Sequence, residues 1–339
     1  MLTTRYAGAR DALRRLGRSS LDPQGYLYEV SALMHRTIPH DVSGWMTLDP
    51  DTLLSSGTLV AQKSPELDRA LWRCELESDG DVHKLADLAA RSSPVVALNE
   101  LDAAAEAESP RIQRILRPAG IGDGLRAVLR TGGSTWGHGG IYREVGARDF
   151  DRDEQAFLTA IAEDIGEGLR RSLSRRPEPG LAMVVPGVLA FDLQGRLVSA
   201  TAEASRLMTL MPGDATSTVY AVAVGAALRE RASARARLAD GRWLLVQGGR
   251  MHGVPEEPPR VAVTLLQAPK ADLTSMLLRL HALSARQREV AGLLMSGIQT
   301  AQIAAQLHIA QTTLHDHIKA IFAKFGVQGR AELMALVSD

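Results

Sequence analysis

Cysteine is almost absent from this sequence of 339 residues, in which Cys74 is the only one. A lone cysteine excludes an internal disulfide framework and any site built from several thiolates, such as a four-cysteine zinc site or an iron–sulfur cluster. This usage is typical of a reducing compartment. We therefore expect a cytoplasmic protein.

Long hydrophobic runs and an excess of charge are also missing. The most apolar stretches, residues 181–191 and 220–228, are well short of the roughly 18 to 20 residues that span a bilayer. We therefore expect no transmembrane segment, no secretory signal and no membrane partner. The 39 basic and 39 acidic side chains cancel, so any nucleic-acid contact must come from a local patch.

Signatures of enzymes and of metal sites are missing as well. No lysine directly follows a glycine, which excludes the P-loop pattern, and no nucleophile, base and orienting group stand at motif spacing. We expect no catalytic residues, no metal and no cofactor, and the cofactor-binding residues stay unknown. His138 lies in a glycine-rich segment with no second ligand at metal-binding spacing, so we expect it in a surface turn.

Two segments rich in proline or glycine divide the sequence into three blocks: 1–175, 181–270 and 271–339. The first mixes helix and strand, with a hairpin predicted from 125–130 and 139–143 around a turn at 131–137. It ends in a long amphipathic helix with an apolar repeat at Phe157, Ile161, Ile165 and Leu169. The second block predicts a small antiparallel sheet with helices, in which the arginine- and alanine-rich residues 229–237 form a helix or loop.

The third block predicts an all-α domain of four helices. Ser284 and Gln287 have the spacing of a capping box, and Gly297 suits the position after a helix end. A short helix at about 300–307 and a tight turn precede a helix at about 311–325. The apolar stripe of that last helix comprises Leu314, Ile318, Ile321, Phe322 and Phe325, and the opposite face is polar.

A short helix, a tight turn and a helix with a polar outer face are what a helix-turn-helix needs to enter the major groove of DNA. The block resembles the LuxR-type DNA-binding domain over about 65 residues. The resemblance is carried by the capping segment 283–290 together with Gly297, Ile303, Ala304, Leu307, Ile309, Thr313, Leu314, His317, Ile318, Ile321, 324–327 and 330–333. It implies double-stranded DNA as the partner and RNA polymerase as a further one.

Position on these helices gives the predicted DNA-binding residues. Thr312, His315 and Lys319 would face base edges or flanking phosphates, and Thr313 lies in the first turn of the same helix. Gln299 and Thr300 begin the shorter helix, whose N–H groups are candidates for a phosphate. Two alternatives stay open: His317 is a DNA contact or a packing residue, and Arg330 is a phosphate contact or a plain helix start.

Charge in this block is scarce. Residues 271–339 contain six basic and five acidic side chains, a net charge of +1, so an isolated domain should bind DNA weakly. The sequence departs from the usual family pattern at Ala301, Gln302, Ala310 and His315, and these departures leave fewer fixed positive charges to contact DNA.

Because one domain binds weakly, we expect a homodimer. The predicted dimer contact is the helix 154–173 or the last helix, which bears Leu333, Leu336 and Val337.

The first two blocks resemble sensor domains. Residues 44–50, 136–139, 142–144 and 150–154 are similar to a GAF domain, and residues 187–200 and 240–244 to a PAS domain. The resulting fold class is multi-domain: GAF-like and PAS-like α+β sensor domains followed by an all-α four-helix LuxR-type helix-turn-helix domain. A small-molecule effector stays unknown.

The function predicted from these observations is a sequence-specific transcriptional regulator under sensory control. The alternative is a sensory or scaffold protein that acts through protein contacts and uses its helical C-terminus for dimerisation.

Overall fold

The computed structural model describes residues 4–60, 65–77, 81–175, 183–212, 216–252 and 258–335. The chain forms two compact units, residues 1–267 and 268–339. Among the helices of the described ranges, none is both long and apolar enough to cross a membrane.

The first half of the first unit is built on a five-stranded antiparallel sheet. Its strands are β1 (Val42–Leu48), β2 (Ser55–Val60), β3 (Val95–Ala97), β4 (Ile121–Thr131) and β5 (Ser134–Glu144). They are arranged in the order β2-β1-β5-β4-β3. The accompanying helices are α1 (Thr4–Leu16), α2 (Pro23–Thr37), α3 (Pro65–Leu76), α4 (Leu85–Ala90), α5 (Ala103–Glu108) and α6 (Arg152–Leu173).

The hairpin of β4 and β5 turns on two residues, Gly132 and Gly133, whose φ angles are +60° and +75°. Positive φ at both central positions is typical of two-residue hairpin turns, and glycine adopts it without a steric penalty. The predicted turn at 131–137 was therefore too long, because β5 begins at Ser134. Gly137 lies within the strand, where a Cβ would come 2.6 Å from Leu169 of α6.

Helix α6 buries its apolar stripe inside the first unit. Tyr6 of α1 stacks on Phe157 at a ring-centroid distance of 4.4 Å, and α6 also packs against β4. The four residues of the predicted repeat are all 0% exposed: Phe157, Ile161, Ile165 and Leu169. The stripe is covered by the chain's own core, so the expectation that it pairs with a helix of a second copy was wrong.

The second half of the first unit has a similar sheet. Its strands are β6 (Gly187–Asp192), β7 (Leu197–Ala200), β8 (Arg231–Arg237), β9 (Trp243–Met251) and β10 (Arg260–Gln267), and its helices are α7 (Ala202–Leu210) and α8 (Thr216–Arg229). The strand order is β7-β6-β10-β9-β8. Numbered within each sheet, both have the order 2-1-5-4-3.

Strand β8 corrects the prediction of a helix or loop over 229–237. It pairs with β9 from Arg231 opposite Gly249 to Arg237 opposite Trp243. Arg235 is buried on this strand because its guanidinium bonds the carboxylate of Asp49, with Nη2 2.5 Å from Oδ1. An arginine is tolerated at a buried position when its charge is paired in this way.

A hydrophobic cluster joins the two sheets. Met46 of β1 and Trp72 of α3 belong to the same buried cluster as Phe191 and Val222 of the second half. Trp72 also donates its indole N–H to Ser217 Oγ at 3.2 Å. The structure thus joins both halves in one unit, and the division into two sensor domains at 175 and 181 stays a prediction. The segment between them, residues 176–180, lies outside the described residues.

The second unit is helical throughout its described part, in which the helices are α9 (Lys270–Leu280), α10 (Ala285–Met295), α11 (Thr300–Gln306), α12 (Gln311–Phe325) and α13 (Arg330–Ala335). This is one helix more than the four predicted. That box is confirmed: Ser284 and Gln287 exchange side-chain-to-backbone hydrogen bonds at the start of α10. Gly297 follows the helix with φ +85°, as predicted.

His83 makes the first unit sensitive to acid. Burial, and then repulsion by Arg126, lower its pKa from 6.5 to about 4. Between these values the unfolded chain binds more protons than the folded one, so the free energy of unfolding falls as the pH drops from about 6.5 to about 4.

We expect His83→Asn to flatten this pH dependence in urea unfolding curves. Asparagine does not titrate, and it tolerates the φ of +55° at this position. A slope in His83→Asn as steep as that of the parent would contradict the prediction.

Candidate DNA-binding site

Helices α11 and α12 are joined by a tight turn. The N–H groups of His308 and Ile309 donate back to the carbonyls of Ala305 and Ala304, at 3.2 and 3.1 Å. His308 takes a φ of +51°, which is the left-handed conformation that commonly ends a helix. The turn therefore fixes how α12 leaves α11, as a helix-turn-helix requires.

One face of α12 is anchored in the core of the second unit. Leu314 and Ile321 are 0% exposed and Phe325 is 3% exposed. They pack in one cluster with residues of α10 and α11, and Ile318 and Phe322 lie partly buried against it. The predicted apolar stripe is confirmed, and its burial determines which face of α12 is turned outward.

The outward face of α12 is polar. Thr312, His315 and Lys319 are exposed, and their spacing of three and then four residues places them on one side of the helix. Thr313 is also exposed, in the first turn. His317 is partly buried at the border of the apolar stripe, which is compatible with either of its two predicted roles.

The starts of α11 and α12 both lack a side-chain cap in the described structure. Gln299 is the N-cap residue of α11 and is exposed, and Thr300 beside it is partly exposed. Ala310 precedes α12 and has no side-chain oxygen to offer, so the N–H groups of the first turn have no capping partner from it. Open N–H groups at the start of a 15-residue helix favour an anion such as a DNA phosphate.

Several cations of this unit are engaged within the unit itself. Arg330 donates to the carbonyl oxygens of Ile298 and Leu294 at 2.8 and 3.3 Å. Lys324 donates to Ala282 O and Gln287 Oε1, both at 2.8 Å. Of the two roles left open for Arg330, these bonds support a structural one, since the guanidinium holds the end of α10 against α13.

Arg286 is engaged in the same way. Its guanidinium bonds Leu307 O at 2.5 Å and Glu289 at 2.7 Å. Lys319 is exposed and has no ion pair among the described residues. Of the lysines and arginines on α12, Lys319 is therefore the one whose charge is directed to solvent.

His281 is an anchor that sequence reasoning missed. Its ring stacks on Phe325 at a centroid distance of 4.0 Å, and its Nδ1 lies 3.1 Å from Lys324 O. The contact joins the end of α9 to the end of α12. Because the partners are 44 positions apart and histidine belongs to no apolar repeat, the sequence contained no signal for it.

Comparison with known families agrees with this geometry. Residues 281–337 match the family model described as bacterial regulatory proteins, luxR family. These residues form a LuxR-family helix-turn-helix domain. The match covers the second unit alone, and comparison with curated proteins found no match.

Solved structures of LuxR-type proteins align with the chain only at low similarity. SdiA of Escherichia coli is 11% identical over 98% of this chain and 99% of its own, with a TM-score of 0.39. The LuxR-type receptor VqmA of Vibrio cholerae is 16% identical over 45% of this chain and 81% of its own, with a TM-score of 0.22. Scores this low carry no argument, so the assignment rests on the LuxR-family domain.

Truncation of Leu314 should destabilise the LuxR-family domain. Leu314→Ala removes a fully buried side chain, for which the cost is about 2 to 5 kcal/mol. We expect hydrogen exchange of the α12 amides to accelerate accordingly. Thr313→Ala, at the exposed neighbouring position, is the control and should leave exchange nearly unchanged. Equal exchange in the two variants would contradict the assignment of the buried face.

Proposed function

We propose that this protein is a sequence-specific transcriptional regulator in which α12 reads the major groove under the control of the first unit. The observation that carries the proposal is the division of α12 into a core-anchored face and an exposed polar face, inside a domain that matches the LuxR family. A helix held rigidly on one side presents the other at a fixed angle, which base recognition needs.

The residues proposed to contact DNA have different tasks. Thr312, His315 and Lys319 share the outer side of α12, where hydroxyl, imidazole and ammonium groups can bond base edges or phosphates. Thr313 and the first-turn N–H groups of α12 are proposed to hold a phosphate. Gln299 and Thr300 would do so from the start of α11.

Charge limits how strongly one domain binds. The net charge of 271–339 is only +1, and Arg286, Lys324 and Arg330 also bond groups within the unit. Few phosphate contacts mean weak non-specific affinity at physiological salt. We therefore propose a homodimer on a pseudo-palindromic site, so that two recognition helices add their contacts.

The apolar residues that were predicted as the dimer contact on the two helices are, where they are described, buried within the chain. The stripe of α6 is buried in the first unit, and Leu333 of α13 is 0% exposed. Leu336 and Val337 lie outside the described residues.

The control proposed for the first unit is sensory. Support comes from its two antiparallel sheets of identical strand order, which are joined by a shared hydrophobic cluster, together with the similarity of these blocks to GAF and PAS domains. A regulator of this kind would transmit its state to transcription through RNA polymerase.

The test compares two lysines of α12. Lys319→Ala should weaken DNA binding and reduce the slope of log affinity against log salt by about one, because one phosphate contact is lost. Lys324→Ala is the matched control, since Lys324 is bonded to Ala282 and Gln287 and its loss should leave the slope nearly unchanged. DNA binding would be measured by fluorescence anisotropy at several salt concentrations.

Two results would contradict the role assigned to Lys319. An unchanged salt slope in Lys319→Ala would remove it from the phosphate contacts. Loss of all discrimination between DNA sequences would make it a base reader instead.

A further inference from the structure

The first unit contains a cavity of ≈ 180 Å³ between its first sheet and α3. Strands β1, β4 and β5 form one wall, and α3 with the helical segment Ile112–Leu116 forms the other. An apolar cavity of about 150 Å³ accommodates benzene. The space is therefore large enough for a molecule built on one ring.

Most of the wall is apolar. Leu67, Leu71 and Trp72 contribute from α3, Ile115 and Leu116 from the segment beside it, and Met46 from β1. Val42, which is 45% exposed, lines the cavity at the start of β1 and marks its opening to solvent. Such a wall binds the apolar body of a ligand by removing it from water.

The inner end of the cavity is polar and buried. Glu75 Oε1 lies 2.8 Å from Arg111 Nη2 and 2.7 Å from Arg126 Nη2, and all three side chains are less than 10% exposed. Arg126 Nε also donates to His138 Nε2 at 3.2 Å. The expectation that His138 lies in a surface turn was wrong, because it is 6% exposed on β5 and lines this cavity.

Charges at this end are balanced. The charged side chains that line the cavity are two carboxylates, Asp68 and Glu75, and two guanidinium groups, Arg111 and Arg126. Arg111 Nη2 is also 3.0 Å from Oδ2 of Asp81, which does not line the cavity. Burial raises the pKa of Glu75, but Arg111 and Arg126 outweigh that effect and lower it to about 2, so the carboxylate stays ionised. A charged ligand would add an unbalanced charge to a buried site, which is costly. The balance therefore favours an uncharged ligand.

Arg111 retains a donor for such a ligand. Its Nη2 lies close to both carboxylates, yet within the described residues it makes no hydrogen bond of acceptable angle. The guanidinium is 4% exposed and lines the cavity. A buried N–H group without a well-directed acceptor is unfavourable, so a ligand oxygen placed there would be bound strongly.

We propose that this cavity binds a small uncharged molecule with a one-ring apolar body and a carbonyl-type oxygen directed at Arg111. The role of this ligand as an effector rests on the proposed function, whereas its binding does not. Trp72 lies on α3, lines the cavity and donates its indole N–H to Ser217 of α8. The ligand would therefore contact α3, the helix that is bonded to the second half of the first unit.

Four one-ring probes separate the features of the proposal: ethylbenzene, acetophenone, benzoate and benzamidine. Their affinities for the full-length chain, without DNA, would be measured by ligand-observed NMR titration. Acetophenone should bind about tenfold tighter than ethylbenzene, because acetophenone has a carbonyl oxygen that can bond the guanidinium of Arg111 and ethylbenzene has none. Benzoate and benzamidinium should each bind at least about tenfold more weakly than acetophenone.

Variants locate the binding. Val42→Trp fills the opening and should weaken the binding of acetophenone at least about tenfold. Val145→Trp is the matched control, because Val145 is an exposed valine that does not line the cavity. Arg111→Lys keeps the charge beside Glu75 and Asp81 but removes Nη2, and should abolish the preference for acetophenone over ethylbenzene.

Three results would overturn the proposal. They are an absence of acetophenone binding, a tighter binding of benzoate or benzamidinium, and equal affinities of Val42→Trp and Val145→Trp. All three are measured without DNA, whereas the salt slope of Lys319→Ala is measured on DNA binding and without the ligand. A failure here is therefore distinguishable from a failure of the proposed function.

Discussion

The burial of one face of α12 is the contact on which the rest of the proposed mechanism depends. Leu314, Ile321 and Phe325 are held in a single cluster with α10 and α11, and the turn at His308 fixes where the helix begins. With one face immobilised, Thr312, His315 and Lys319 are exposed together. Recognition of DNA bases requires side chains positioned in this way, because small displacements break directional hydrogen bonds.

Charge is used sparingly in the same unit. Arg286, Lys324 and Arg330 each bond a backbone carbonyl at or just after a helix end, where cations stabilise the negative end of the helix dipole. These side chains tie the helices together and leave few cations for phosphates. The low net charge and the short recognition surface both favour DNA binding as a homodimer.

Local signals in the sequence predicted the second unit well. The capping box at Ser284, the glycine at 297 and the apolar stripe of α12 all depend on residues a few positions apart, and all three are confirmed. Interactions between distant residues were not predictable. Arg235 lies on a strand because β8 pairs with β9, and it is buried there beside Asp49, 186 positions away. The apolar stripe of α6 indicated a buried face but not the residues that cover it.

The cavity shows the same limit. Glu75, Arg111 and Arg126 come from three separate elements, and no motif connects them in the sequence. His138 was assigned to a surface turn because glycines surround it, whereas those glycines lie within β5, next to bulky neighbours such as Trp45 and Tyr142. Local composition was therefore misleading where a long-range contact determined the structure.

Selection of bound fragments from genomic DNA tests whether α12 reads a DNA sequence. The full-length chain would be compared with a variant in which the exposed Thr312, Thr313, His315 and Lys319 of α12 are all replaced by alanine. The account predicts that the parent enriches a short motif repeated in two half-sites, about one or a few turns of DNA apart, and that the variant enriches none. Enrichment of the same motif by the variant, or of no motif by the parent, would contradict it.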